Sequence, residues 1–541
     1  MPGAGWGTLI ALLLLIVVSV WVGTAAQRVV QKGSFLQGYF LGNRGLGAWT
    51  LALTATVQSG GTFMGFPSLA YSHGWAVALW IAGFMVVPLT GFGVLGKRLA
   101  QISRRTGAIT IPDILRERFG SSKVAIVALI FVLFFMSFMM VAQFKAGALI
   151  MKLSWPGSGA VDPSSSSNTG FDTHYYLGLM IFSTAVVGYT LIGGFLAAVW
   201  SDLVQSAMML VGVLVLLLLT VPAAGGIEHA TLVTAKRIGP GYVYGPGYVK
   251  PDVSGQRRQF LPLGLAFSYF FVWVFLTMGN PSGIVRLIAC SDTRAIRRAI
   301  LILNSYNVLI YIPLLVISIC GRALIPELPS GKSDEIVPRL ALLTSSHMPG
   351  GSFLAGLVLA APFGAVMATV SGYLVVIASG LVRDLYQRFI HPLADDAEIR
   401  RLSHRVMITI GAIAILANLY PVDYLQAIVV FSGTGIAAAF VAPAVMTAYW
   451  RRATASGAVA AMTGGAGTVL ALYAVGWVSS WMGYDQMIGP ATRFRPYYLL
   501  GLDPIVWSLL VSCLLGIAIS LNSAPPDPER VSWLFDSVER T

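Results

Sequence analysis

Long apolar runs separated by short charged stretches recur from one end of the chain to the other. Each is near or above the roughly 20 residues that a helix needs to cross a bilayer. The pattern predicts thirteen spans, at residues 7–24, 49–71, 75–96, 124–151, 175–192, 195–223, 261–285, 298–322, 351–382, 404–420, 424–448, 455–481 and 501–521. The run from Thr8 to Val22 follows no basic residue and is not trailed by a small-residue cleavage site, so it reads as a retained first span.

Two of these runs resist being continuous helices. "TATVQSGGTFMGFPSLAYSHGW", Thr54 to Trp75, is apolar but carries Gln58, Ser59, Gly60 and Gly61 in succession and then Pro67. "FLTMGNPSG", Phe275 to Gly283, places Gly279, Asn280 and Pro281 inside a second apolar segment, 219 positions after the first break. Freed backbone groups at membrane depth survive only where they face protein, water or a ligand. Glycine and proline also kink ordinary transmembrane helices, so one break alone carries little weight. Taken as five-helix units, spans 2–6 and 7–11 each begin with a broken helix, and an odd number of helices inverts one unit relative to the other. Corresponding interrupted helices in two inverted halves point to a transporter's binding site.

Composition agrees with the spans. Of 541 residues 56% are hydrophobic and 11% charged, against about 25% charged in a soluble domain. This is an all-α polytopic membrane protein whose partners include the lipid bilayer. The net charge of +13 comes from arginines and lysines scattered over short loops, which argues for membrane orientation and against nucleic acid. The clusters at 28–44, 97–118, 294–298, 383–405 and 451–452 fall on one face, which places that face in the cytoplasm of a multi-pass inner (plasma) membrane protein. The N-terminus is then outside and the C-terminus inside. The loop 224–260, assigned outside, dissents with Lys236, Arg237, Lys250, Arg257 and Arg258. That loop, with its repeated "GPGYV", and the "SSSSN" stretch before the fifth span read as irregular exterior connections. Cys290, Cys320 and Cys513 lie too far apart for a disulfide framework or a metal site.

At the breaks the chain resembles the sodium:solute symporter family. "YFLGNRGLGAW" (39–49), "YTLIGGFLAAVWSDLVQ" (189–205), "MGNPSGIVR" (278–286) and "LVLAAPFGAVMATVSGYLVVIASGLVRDLY" (357–386) carry the resemblance, which runs from about residue 35 to 450. The loops, including "ALIPELP" (323–329), are most similar to those of its sodium/pantothenate branch. The resemblance implies a LeuT-type five-plus-five inverted repeat core and Na+-coupled solute uptake. The division that follows is a first helix and linker at 1–48, one repeat at 49–224, an exterior loop at 225–260, the second repeat at 261–450 and two C-terminal helices with a short tail at 451–541.

The resemblance also implies a sodium site built from the backbone carbonyls of Ala55 and Gln58, the carbonyl of Ala365, and positions 368 and 369. Thr369 supplies a hydroxyl, while Ala368 stands where many relatives have a second one, so a ligand is missing or a water replaces it. A threonine within a span also commonly bonds back to its own helix. Asp202 sits two turns into the sixth span with Gln205 and Ser206 on its face. Some relatives use this acid for a second sodium; here only Ser371 remains as a partner, which favours one sodium per cycle with Asp202 on the release path or anchoring a helix. An acid facing interfacial water is the competing reading.

Lys145 is a basic residue well inside a span. Facing the central cavity it is a counter-charge for a carboxylate; near its helix end it snorkels instead. The remaining solute candidates surround the breaks: Ser59, Gly60, Gly61 and Thr62 at the first, Thr277 and Asn280 at the second, with Met139, Trp273 and Ser432 on neighbouring helices. Trp273 also suits plain packing, and Ser432 a close helix interface. Gly61 and Thr62 stand where the family's sugar transporters carry an acid and an amide, which disfavours sugar.

The expected function is sodium-coupled import of a small organic solute, pantothenate-like or monocarboxylate-like, by alternating access. A proline or amino-acid symporter, a proton-coupled carrier using Asp202 or Lys145, and a sensor-like member of the same fold are the alternatives. About 20 residues follow the last span, too few for a signalling domain. No nucleophile–base pair or metal cluster inside the spans suggests an enzyme.

Overall fold

The computed structural model describes residues 4–30, 35–55, 59–157, 172–247, 259–328, 332–346, 348–420, 425–490, 492 and 494–536. Among them the chain is helical, and its β pairing is confined to two isolated bridges, Leu46 with Cys290 and Gln259 with Ile488. Nine helices among the described residues are long and apolar enough to cross a membrane, and the pair Leu263–Gly279 and Pro281–Ile288, bent by 46°, makes a further broken span.

Two of the nine turn sharply at a glycine. Thr173–Ala223 has 51 residues and would run about 77 Å if straight, more than twice the hydrocarbon core. It divides at Gly194, whose φ of 57° and ψ of −138° leave the helical region, at the boundary expected between the fifth and sixth spans. A Cβ there would come within 2.7 Å of Tyr39, so both the backbone and the space require glycine. Gly74, with φ of 71°, separates Phe66–His73 from the helix Leu79–Pro88 in the same way. The expected span at 404–420 overlaps the helix Asp396–Ala417, which begins eight residues earlier, ends three earlier, and carries Asp396, Glu398, Arg400 and Arg401 in its first turns.

Apolar windows of Leu425–Tyr449 and Gly351–Ile390 are 94% and 83% buried, against 33% for Pro504–Asn522. The first two therefore form the centre of the bundle, as helices without a polar face must. One expectation is corrected: the connection 224–260 is not wholly irregular. It holds a helix, Ile227–Ile238, because Ala230 turns inward and packs with Ala224 and Cys320. The "SSSSN" stretch lies outside the described residues.

Candidate functional site

Both broken spans are interrupted as the glycines and prolines require. In the first, Ala48–Ala55 is helical, Ser59 is not, and the chain is helical again from Gly60, continuing as a wide turn over Gly61–Gly65 into Phe66–His73. The amides that begin this second half have no partner within their own helix. Gln143 Oε1 accepts from the Gly60 amide at 2.7 Å, Ser59 Oγ from the Gly61 amide at 3.1 Å and the Ser59 carbonyl from the Thr62 amide at 2.9 Å. A Cβ on Gly60 would lie 2.8 Å from Ala146 Cβ, so the break sits hard against Ser122–Leu153.

At the second break Asn280 adopts an extended conformation (φ −69°, ψ 117°) and Pro281 opens the next helix. Asn280 Oδ1 accepts from the Ser282 amide at 3.0 Å, an N-cap that fixes the bend. One turn further on, Arg286 Nη1 donates to Ser282 Oγ at 2.9 Å and Nη2 to Asp202 Oδ2 at 2.6 Å.

Between the breaks lies a cavity of about 80 Å3, counted as space open to the centre of a water molecule. That is several times what one water requires. Ser59, Gly61, Thr62, Met139, Trp273, Thr277 and Asn280 line it, joined by Ser282, Arg286, Asn307, Tyr311, Tyr373 and Gln426. One wall is aromatic: Phe84 stacks on Tyr311 with centroids 3.9 Å apart and on Trp273 at 4.9 Å. Thr62 Oγ1 and the Tyr311 hydroxyl are 3.2 Å apart. The indole nitrogens of Trp80 and Trp273 and Oε1 of Gln426 are buried without hydrogen-bond partners.

Three expected solute residues are not among those lining this cavity. Gly60 is packed behind it against Ala146. Ser432 donates to the Phe135 carbonyl at 2.6 Å and so ties two helices together. Lys145 is 9% exposed and lies 3.9 Å from the carboxylate of Asp334, in the short turn Ser333–Glu335. The interfacial-water reading of Asp202 is overturned, since that residue is 1% exposed and ion-paired.

Gln58 lies outside the described residues, and Ala55 is the last described residue before it. Thr369 Oγ1 donates to the Ala365 carbonyl at 3.0 Å, and Ser371 Oγ to that of Ala368, also at 3.0 Å. These hydroxyls take the back-bonded geometry, which leaves their lone pairs as acceptors. The helix that carries them adjoins the break, because a Cβ on Gly60 would be 3.4 Å from Val366. Neutral oxygens of this kind suit a hard monovalent cation.

Sequence reasoning did not single out Arg286, Gln143, Gln426 or Asn307. The signal was there, since each is a polar or charged side chain inside an apolar helix. What periodicity does not tell is which way each one faces.

Comparison with known proteins agrees with this geometry. The model of the sodium:solute symporter family matches residues 39–465. The sodium/pantothenate symporter of Escherichia coli (strain K12) is 31% identical over 510 residues, covering 94% of each chain. That of Haemophilus influenzae is 30% identical, covering 86% of this chain and 91% of the relative. The osmoregulated proline transporter OpuE of Bacillus subtilis (strain 168) is 26% identical, covering 92% and 91%. Among solved structures, a Na+-coupled sialic acid symporter in a substrate-bound outward-open state superposes with a TM-score of 0.71 over 97% of this chain and 99% of its own, at 17% identity. A likeness at that identity speaks for the fold, a LeuT-type bundle, and the family match speaks for the rest. With two broken helices meeting at one cavity and a family model spanning most of its length, the chain belongs to the sodium:solute symporter family and is a multi-pass, sodium-coupled solute symporter.

Proposed function

We propose that the protein imports a small organic acid with sodium, and that the acid seats between the two breaks against Trp273 and Phe84. The observation that carries this reading is Arg286, the one charged residue among the described residues that line the cavity. Lys145, held beside Asp334, is a poorer counter-charge than the sequence suggested. Arg286 is already paired with Asp202, but its Nε is buried without a partner, and Asn280, Ser282 and Asn307 add hydrogen-bonding groups around it. A polar acid with its own hydroxyl and amide groups fits that lining better than a bare hydrocarbon chain. The sodium/pantothenate relatives favour pantothenate within this class.

Sodium binds between the first break and Ala365 to Thr369 and stabilises the open form that receives solute. The units 49–224 and 261–450 then rock against each other, with the N-terminus outside and the C-terminus in the cytoplasm. A 100 mV potential supplies ~2.3 kcal/mol per ion and a tenfold gradient ~1.4. The carboxylate carries its own charge against that potential, so one sodium moved with one acid leaves only the gradient term and supports about tenfold accumulation. Radiolabelled uptake into proteoliposomes under a sodium or potassium gradient tests the reading, with pantothenate, short monocarboxylates and proline as solutes. Sodium-dependent accumulation of an acid supports it. Accumulation of proline alone would withdraw the carboxylate.

A further inference from the structure

A second, smaller cavity adjoins the central one and shares Trp80 and Gln426 with it. It offers about 20 Å3 to the centre of a water molecule, enough for one water or one small ion and too little for an organic solute. Tyr269 and Tyr473 form part of its wall, and the connection between the last two spans supplies Arg495, Tyr498 and Asp503. Nothing in the transport scheme above uses it.

Asp503 is 1% exposed. Its Oδ1 accepts from the Ile505 amide at 3.0 Å, capping the last span, and its own amide donates to Ser268 Oγ at 3.0 Å. Its Oδ2 is buried with no hydrogen-bond partner. Gln426, 2% exposed, contributes a second buried oxygen, Oε1, with none. Two residues that line one small void thus each carry a buried orphan acceptor, which is costly until a donor or a cation satisfies it. Arg495 does not serve, because its Nη1 is held at 2.6 Å by Asp485. That pair is neutral overall, so among the described residues Asp503 is the cavity's acidic group without a counter-charge. A water would satisfy the hydrogen bonds but supply no counter-charge to an ionised carboxylate.

We infer that this cavity is a monovalent-cation site in which Asp503 Oδ2 and Gln426 Oε1 ligate a sodium ion. Gln426 connects it to the transport path. A Cβ on Gly61 would lie 3.4 Å from Gln426 Oε1, so the carboxamide rests on the first broken helix. An ion held here stands one side chain away from the break, and the site raises the local supply of sodium to it.

Thallium, a monovalent surrogate with a strong anomalous signal, tests the site in crystals of the full-length native protein. An anomalous peak within about 3 Å of Asp503 Oδ2 is expected, a distance set by oxygen ligation of a hard cation. Peaks elsewhere but none in this cavity would overturn the proposal. Independently, Asp503→Asn keeps the helix cap and removes the charge. It is expected to raise the sodium concentration for half-maximal uptake about fivefold or more, with the solute KM at saturating sodium unchanged. Unchanged sodium dependence overturns the site. If the Asn variant does not fold, Asp503→Ser caps equally well, and the thallium result on the native protein stands alone. Sodium-driven uptake by the native protein is the control, so loss of this site and loss of sodium coupling give different results.

Discussion

Arg286 Nη2 donates to Asp202 Oδ2 at 2.6 Å with the two side chains only 2% and 1% exposed. One belongs to the second half of the second broken span, the other to Thr173–Ala223, so a single ion pair fastens one side of the cavity to that long helix. Removing either partner leaves an uncompensated buried charge, which costs about 3–5 kcal/mol. Asp202→Asn and Arg286→Gln are each expected to lower the melting temperature in detergent and to abolish uptake. The double variant recovers much of the stability. If the double variant is no more stable than the worse single one, the pair is not the reason for the burial.

Gln143 holds the other break. Its Oε1 accepts from the Gly60 amide, so Gln143→Ala strands a buried donor at a cost of about 1–3 kcal/mol. Because the capped amide lies two positions after Gln58, one of the expected ion ligands, half-maximal uptake is expected to need about tenfold more sodium. Gln143→Glu keeps an acceptor and retains most of the affinity. Equal sodium dependence in native protein and Gln143→Ala would separate this cap from the ion site.

Thr369 Oγ1 donates to the Ala365 carbonyl, which puts the hydroxyl on the helix beside the first break. Thr369→Ala is expected to raise the half-saturating sodium concentration, and Thr369→Ser to keep it near the native value. Sodium titration of uptake reads both, and no change in the alanine variant removes Thr369 from the site.

The two broken helices were legible in the sequence because Gly60, Gly61, Gly279 and Pro281 each state a backbone requirement locally. Gly194 was legible for the same reason. The pairings Arg286 with Asp202 and Lys145 with Asp334 were not, since they join residues 84 and roughly 190 positions apart and nothing local marks which buried charges meet. Lys145 shows the consequence. A lysine inside a span requires a partner, but the sequence suggested a solute for that partner, and the structure supplies Asp334.

That difference makes the last prediction. Lys145→Ala is expected to leave the solute KM within about twofold, the scatter of an uninvolved residue, while lowering thermal stability by exposing Asp334 as an unpaired buried acid. Burial pushes the Asp334 carboxyl above the usual carboxylate range, and the nearby Lys145 opposes that rise without cancelling it. A carboxyl whose folded value is raised binds its proton more tightly when folded. Its contribution to stability is therefore fullest below about pH 4, the unfolded value, and is lost as pH rises through the folded one. Lys145→Ala removes the opposing charge, so its stability should fall more steeply with rising pH than that of the native protein, and adding Asp334→Asn should flatten the profile. Melting curves between pH 4 and 8 show this directly. A large rise in solute KM in Lys145→Ala, with an unaltered melting profile, would instead return the lysine to the solute.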